Sequence, residues 1–180
     1  MALCYNIIKL GGGWVKVNKY IYLSDKDTSS QIFRDYTDEI FKKLYFLKRS
    51  YPNFKDWYYN KVVPDIQYGR REIIINKTDG HISAVSILKK SEEKKICTFV
   101  VFPKYQNRGI GKEMLQKSMK FLDTKKPIIT VSSENIDSFR HLLNEFNFTK
   151  YDEIKNCYKN RSSEYVFNGY LNIKECYKSA

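Results

Sequence analysis

Histidine is nearly missing from this chain. His81 and His141 are the only two among 180 residues, and they lie too far apart for any metal-ligand spacing, so a His-based metal centre is not expected. Cysteine is also sparse: Cys4, Cys97, Cys157 and Cys176 form no CxxC pair and no dense disulfide framework, which points to a reducing, cytoplasmic setting. With 4 Pro and 8 Gly there is too little of either for a linker or a disordered tail. No apolar run reaches the ~18 residues that would span a bilayer. The first twenty residues are interrupted by Lys9, Lys16, Lys19 and Gly11-Gly12-Gly13, so they lack a signal peptide's apolar stretch. No membrane association is expected. The length fits one domain, residues 1–180, because chains divide only beyond roughly 250 to 300 residues.

What is abundant is aromatic and basic. Fifteen Tyr and eleven Phe, within 42% apolar residues, supply a core. The formal charge is +12, and two segments hold most of it. Residues 40–61 carry six basic and one acidic residue, and residues 104–126 carry seven basic and two acidic. Positive charge concentrated in this way suggests an anionic ligand, although Lys-rich helices also present solvated faces of this kind.

The pattern of elements is mixed. Leu3–Leu10 and Trp14–Leu23 read as extended stretches around the three glycines, a hairpin over 3–23. Ile32, Phe33, Tyr36, Ile40, Leu44 and Leu47 recur at helical spacing until Ser50-Tyr51-Pro52. A shorter helix is predicted from an Asn53 cap to about Val62, ending before Pro64. Residues 72–76, 81–88 and 95–102 then read as an antiparallel meander. An amphipathic helix follows over 109–122, then a strand over 127–132, a helix over 135–146, and strands near 148–154 and 163–171.

The segment from Ile96 to Leu115 carries the chemistry. A buried strand ends at Pro103, and Gln106-Asn-Arg-Gly-Ile-Gly111 opens directly into a helix. Such a junction aims unpaired backbone N–H groups and the positive end of a helix dipole at one point, where a phosphate is held. A P-loop needs Gly where Gln106 stands and Ser or Thr where Glu113 stands, so that reading fails. A dinucleotide fingerprint needs a small residue where Met114 stands.

The segment resembles the coenzyme A loop of the GNAT acetyltransferase superfamily: Gln106, Gly109 and Gly111 match the loop, and Val101 and Pro103 match the strand end before it. The order of elements is similar over roughly residues 14–171. The resemblance implies an α/β chain of mixed α+β type, with a central, mostly antiparallel twisted sheet of six or seven strands flanked by four helices. It implies an N-acetyltransferase with acetyl coenzyme A as acyl donor. The backbone of Phe99, Val100 and Val101 would pair with the pantetheine arm. Gln106, Asn107, Arg108, Gly109, Ile110 and Gly111 would hold the diphosphate, and Lys112, Arg108 and Lys104 would add charge.

The reaction is attack of an amine on the thioester. An acceptor with an amine pKa near 10.4 must be deprotonated at a cost of about 4.6 kcal/mol at pH 7, so a base, a water chain or desolvation is required. The Val101 amide is the candidate oxyanion donor. The Glu that serves as base in some family members is replaced by Lys95, and the family's acid Tyr is absent, since its helix reads Leu142-Leu143. Catalytic side chains therefore stay open, with Tyr158, Tyr151 and Glu93 as candidates. Glu93 also fits a solvated reversal, and the tyrosines also fit the core. Trp57, Tyr58 and Tyr59 could line an acceptor groove or fill the core.

The acceptor is expected to be a small amine or a protein amino group. An RNA-borne amine, as for the superfamily's toxins acting on aminoacyl-tRNA, is the alternative, and so is a nucleic-acid-binding module with a non-catalytic coenzyme site. The basic segment 40–61 is what an RNA partner would use. A monomer or a homodimer is expected.

Overall fold

A computed structural model describes residues 7–10, 13–16, 18–158 and 160–171. β1 (Ile7–Leu10) and β2 (Gly13–Lys16) pair antiparallel, with Leu10 opposite Gly13. The expected second arm, Trp14–Leu23, is divided: β3 (Lys19–Tyr22) leaves the hairpin and pairs with β4 at the edge of a larger sheet, where Ile21 is buried. Within 3–23, residues 3–6, 11, 12 and 17 lie outside the described residues.

α1 (Gln31–Leu44) starts where Ser30 accepts a hydrogen bond from the Phe33 amide at 3.1 Å, a side-chain N-cap. It buries Phe33, Thr37, Ile40 and Leu44 along one stripe, while Ile32, counted on that face in the sequence, is exposed. The next helix does not stop at Pro64. α2 (Phe54–Trp57) runs through a π-helical turn, Tyr58–Val62, into α3 (Val63–Gln67), with the proline in its first turn. A widened turn accommodates a residue that lacks an N–H and whose ring crowds the carbonyl behind it. The helix ends at Gly69, where φ is +66°.

β4 (Arg71–Thr78), β5 (His81–Lys90) and β6 (Lys94–Val101) form the expected meander. Asp79 and Gly80, both with positive φ, make its first turn. α4 (Ile110–Leu122), β7 (Ile128–Ser132), α5 (Ile136–Glu145), β8 (Lys150–Lys155) and β9 (Ser163–Phe167) complete the order. The sheet has seven strands in the order β3-β4-β5-β6-β7-β9-β8, antiparallel except between β6 and β7. With α2, the π turn and α3 forming one continuous helical unit, four helical units flank it.

Both faces of the sheet are covered, so its central strands are apolar on both sides. Ile73, Ile75, Val85 and Ile87 pack under α1–α3. Ile74, Ala84, Leu88 and Ile96 pack under α4 and α5. Among the described residues no helix is long and apolar enough to cross a membrane. Cys97 is a free thiol, whereas Cys157 is buried and disulfide-bonded, which the sequence reading did not anticipate.

One irregularity opens the sheet. Ile87 pairs with Thr98 and Leu88 with Ile96, so Cys97 is an extra residue on β6, a β-bulge. A bulge bends its strand and sharpens the local twist. β6 accordingly pairs with β7 only at Lys95↔Ile128 and Ile96↔Ile129. Beyond that point β6 follows β5 as far as Val101↔Ala84, and β7 follows β9 as far as Ser132↔Glu164. The two parallel strands part like a wedge.

Candidate active site

The loop at the wide end of the wedge is built by backbone conformation. β6 ends at Pro103, which starts a single 3-10 turn through Tyr105. Asn107 and Gly109 then take φ of +58° and +77°. A turn with positive φ at two such positions can aim successive amides toward one side, as in an anion nest. The Gln106 amide is donated to the Pro103 carbonyl at 3.3 Å, and the first helical bond of α4 runs from Glu113 to Gly109. Among the described residues, the amides of 107–112 have no protein acceptor. A Cβ placed on Gly109 meets no atom within 4 Å, so the space in front of those amides is open.

The strand beside the loop also presents polar backbone. Phe102 donates its amide to the Ser83 carbonyl on β5 at 3.0 Å. Successive amides in a strand alternate sides, so the Val101 amide faces away from β5, into the wedge. The Val101 carbonyl on the same side accepts the Gln106 side-chain amide at 3.0 Å. On the α4–α5 side the wedge is lined by Phe99, Phe139, Leu142 and Phe148, with the rings of Phe99 and Phe139 edge to face at 6.0 Å. A hollow of about 300 Å³ lies elsewhere, between α5 and the β8–β9 pair, and Arg140 and Lys150 are among the residues that line it.

A polar cluster lies on the face of β9 opposite Tyr165 and Phe167, which pack under α4 and α5. Glu164 stands on β9 opposite Ser132, is 4% exposed, and its Oε2 has no hydrogen-bond partner. Burial pushes its carboxyl up to about 7; the Lys95 ammonium pulls it back, and the Glu134 carboxylate adds to the rise. Tyr51, just ahead of α2, is raised by burial and then by Glu164 and Glu134. Its ring meets that of Tyr158 edge to face at 5.0 Å.

The sequence candidates separate on this geometry. Phe99 to Val101 line the wedge, and Asn107 to Lys112 supply the open amides; Gln106 differs, contributing its side chain to Val101 and its amide to Pro103. Lys112 is paired with Glu145 of α5, so it ties two helices together instead of standing free for an anion. Lys104 and Arg108 both lie over the Tyr105 ring, 5.8 Å from its centre. Glu93 is held by Lys89 at 2.9 Å in the β5–β6 turn, at the opposite end of β6 from the loop. Tyr151 lies on edge strand β8, 53% exposed, against Tyr170. Tyr158 alone of the tyrosine candidates joins the polar cluster. Tyr58 is core, with its hydroxyl donated to the Thr37 carbonyl at 2.9 Å, and Trp57 carries the Arg71 guanidinium 5.6 Å above its ring. His81 and His141 are exposed, and no group of metal-ligating side chains occurs among the described residues.

Sequence reasoning missed Glu164. Its signal was present: in Ser163-Glu-Tyr-Val-Phe167, Glu164 shares the period-2 phase of Val166, so an acid was written on a buried face.

A family model described as the acetyltransferase (GNAT) family matches residues 31–148, more than half of the chain. The chain belongs to that family. It is therefore an acetyltransferase, with acetyl coenzyme A as its acyl donor. The fold agrees. A Desulfovibrio desulfuricans protein assigned to the GNAT family superposes with a TM-score of 0.64 at 10% identity, over 84% of this chain and 97% of that one. A Bacillus anthracis protein assigned as a streptothricin acetyltransferase, solved with acetyl coenzyme A, gives 0.53 at 15% identity, over 62% and 70%. Nourseothricin acetyltransferase gives 0.50 at 13% identity, over 54% and 64%. These identities establish a shared fold and carry no substrate with them. A search of curated proteins finds no significant match.

Proposed function

We propose that residues 1–180 act as one acetyltransferase domain that moves the acetyl group of acetyl coenzyme A to a primary amine by direct attack in a ternary complex. The acceptor is a small amine or a protein amino group. The observation that carries this reading is the row of unclaimed amides at 107–112, at the N-terminus of α4 and beside a strand that has left its neighbour. A diphosphate fits there because the helix dipole, the nest and the open space at Gly109 favour an anion that approaches the backbone closely. Arg108 and Lys104 add charge, and Lys112 contributes only where it exchanges Glu145 for phosphate.

The pantetheine arm runs along Phe99 to Val101, taking up backbone groups that β7 leaves unpaired. The Val101 amide then points at the thioester carbonyl, and a donor fixed in place before the reaction stabilises the negative charge that grows on that oxygen. The amine nitrogen forms its bond to the carbonyl carbon, the C–S bond breaks, and the thiolate leaves. Tyr158 suits the role of proton donor to sulfur better than Tyr151 or Glu93, because its ring meets that of Tyr51 in the polar cluster with Glu164. Cytoplasmic location and a monomeric or homodimeric state belong to the same reading.

A second reading, transfer to an RNA-borne amine, is favoured by one observation. Lys42, Lys43, Lys48, Arg49, Lys55 and Lys61 are all exposed, and none forms an ion pair among the described residues.

The test is coenzyme A thiol release from acetyl coenzyme A with a panel of primary amines, an amino-terminal peptide and aminoacyl-tRNA. Turnover with a small amine or the peptide supports the first reading, and turnover with the tRNA alone supports the second. Acetyl coenzyme A that binds but is never consumed overturns both.

A further inference from the structure

We propose that Glu164 is the catalytic base of this enzyme, receiving the proton of the acceptor's ammonium from a buried position on β9. The inference rests on the acetyl-transfer reading above, and it supplies the base that the sequence lacks at Lys95.

Two buried glutamates make the case by contrast. Glu72 of β4 accepts from the Ser24 hydroxyl at 2.5 Å, the Ser24 amide at 3.1 Å and the Ile73 amide at 2.8 Å. That is how a structural buried carboxylate is held, with its lone pairs taken up. Glu164 is equally inaccessible, yet Oε2 has no partner. A buried oxygen left unsatisfied costs stability, and such groups persist where a ligand or a reaction uses them.

Its place suits that use. Glu164 pairs with Ser132, at the end of β7 where the wedge is widest, and shares a face with Val166, which packs with Cys157, Leu171 and Tyr158. Every charged or titratable group shown to act on it comes from a different element: Lys95 from β6, Glu134 from the turn after β7, and Tyr51 from the segment before α2. When Glu164 is ionised, it and Glu134 outnumber Lys95, which leaves the cluster one charge negative in a protein that is otherwise strongly basic. A carboxyl raised toward neutrality is also a better proton acceptor than an ordinary glutamate, because catalytic bases work best with a pKa near the working pH.

The proton balance closes. The ammonium gives one proton to the Glu164 carboxylate, and the freed lone pair bonds to the thioester carbon. The C–S electron pair leaves on sulfur. The second nitrogen proton goes to the thiolate, giving amide and coenzyme A thiol, and Glu164 returns its proton to solvent.

The experiment compares wild type, Glu164→Gln and Glu164→Asp in two measurements: calorimetric binding of acetyl coenzyme A, and thiol release with the amine panel between pH 5 and 9. The expected result is acetyl coenzyme A affinity within about threefold for all three proteins. For Glu164→Gln, kcat falls by about 100- to 10,000-fold, and the rise in rate toward pH 7 disappears. Glu164→Asp, with its carboxylate withdrawn by one methylene, regains part of the rate. If Glu164→Gln fails to fold, Glu164→Asp decides alone: a loss of about tenfold or more with a displaced acid limb supports the assignment. An unchanged rate and pH profile in either variant overturns it, and so does a wild-type protein that binds acetyl coenzyme A but turns over no amine. Failure of the wild type to bind acetyl coenzyme A is a different result, since it removes the coenzyme site beneath this inference.

Discussion

The Gln106 side chain donates to the Val101 carbonyl at 3.0 Å, which fastens the candidate phosphate loop to the strand end that faces the wedge. The bond is exposed, so its net worth is about 1 kcal/mol. Gln106→Ala should leave the melting temperature nearly unchanged while weakening acetyl coenzyme A roughly fivefold, since 1.4 kcal/mol corresponds to a factor of ten. Titration calorimetry beside a thermal melt separates the two effects; a large drop in melting temperature would show that the contact is structural instead.

Gly109 and Gly111 should respond differently to a side chain. At Gly109 φ is +77°, so Gly109→Val carries backbone strain of about 1–2 kcal/mol even though its Cβ meets nothing. It should fold with a modestly lower melting temperature and lose acetyl coenzyme A binding. At Gly111 a Cβ would touch Val101 Cγ2 at 3.6 Å, an ordinary contact, and no positive φ is required. Gly111→Ala should therefore be as stable as the wild type, or slightly more so, because alanine restricts the unfolded chain. Any loss of binding in that variant then reports crowding of the ligand.

Burial of Glu164 also makes a stability prediction that needs no substrate. Its carboxyl is raised from 4.5 to about 7 in the folded protein. The native state therefore holds the extra proton between those values, and stability falls as pH rises through that window. Above pH 7 the ionised form costs about 3 kcal/mol relative to pH 4. Glu164→Gln removes this dependence: its melting temperature should exceed that of the wild type at pH 8, with the difference shrinking toward pH 4.5. Parallel melting curves across that range would show that the native carboxyl titrates normally.

The six exposed cations of 40–61 set the salt dependence of any RNA complex. If all six contact phosphate, the logarithm of affinity for a single strand should fall with the logarithm of salt at a slope of about −4, and neutralising two of them should reduce the slope by about 1.4. Fluorescence anisotropy from 50 to 300 mM salt measures this directly. A flat response would leave those residues as an ordinary solvated face.

Local signals carried most of the architecture. The apolar run Ile73-Ile-Ile75, the Ser30 cap and the glycines at 109 and 111 act on their immediate neighbours, so the meander, the loop and most of the helices could be read directly. Pro64 misled because the usual rule treats proline as a stop, while a π turn lets the helix absorb it. The N-terminal hairpin was misdrawn because strand propensity does not say which partner an extended segment chooses, and Lys19–Tyr22 gained more by pairing with β4.

The proposed coenzyme loop is contiguous and rests on local residue type, so the chain's own letters were enough to propose it and to suggest the acyl donor. The acid–base machinery was not legible, because it depends on where distant strands lie. Whether Lys95, Glu134, Glu164 and Tyr51 share one face is set by sheet order and by the bulge at Cys97. The same carboxyl would titrate normally in water; burial beside one ammonium and another carboxylate, brought from separate parts of the chain, is what moves it toward neutrality.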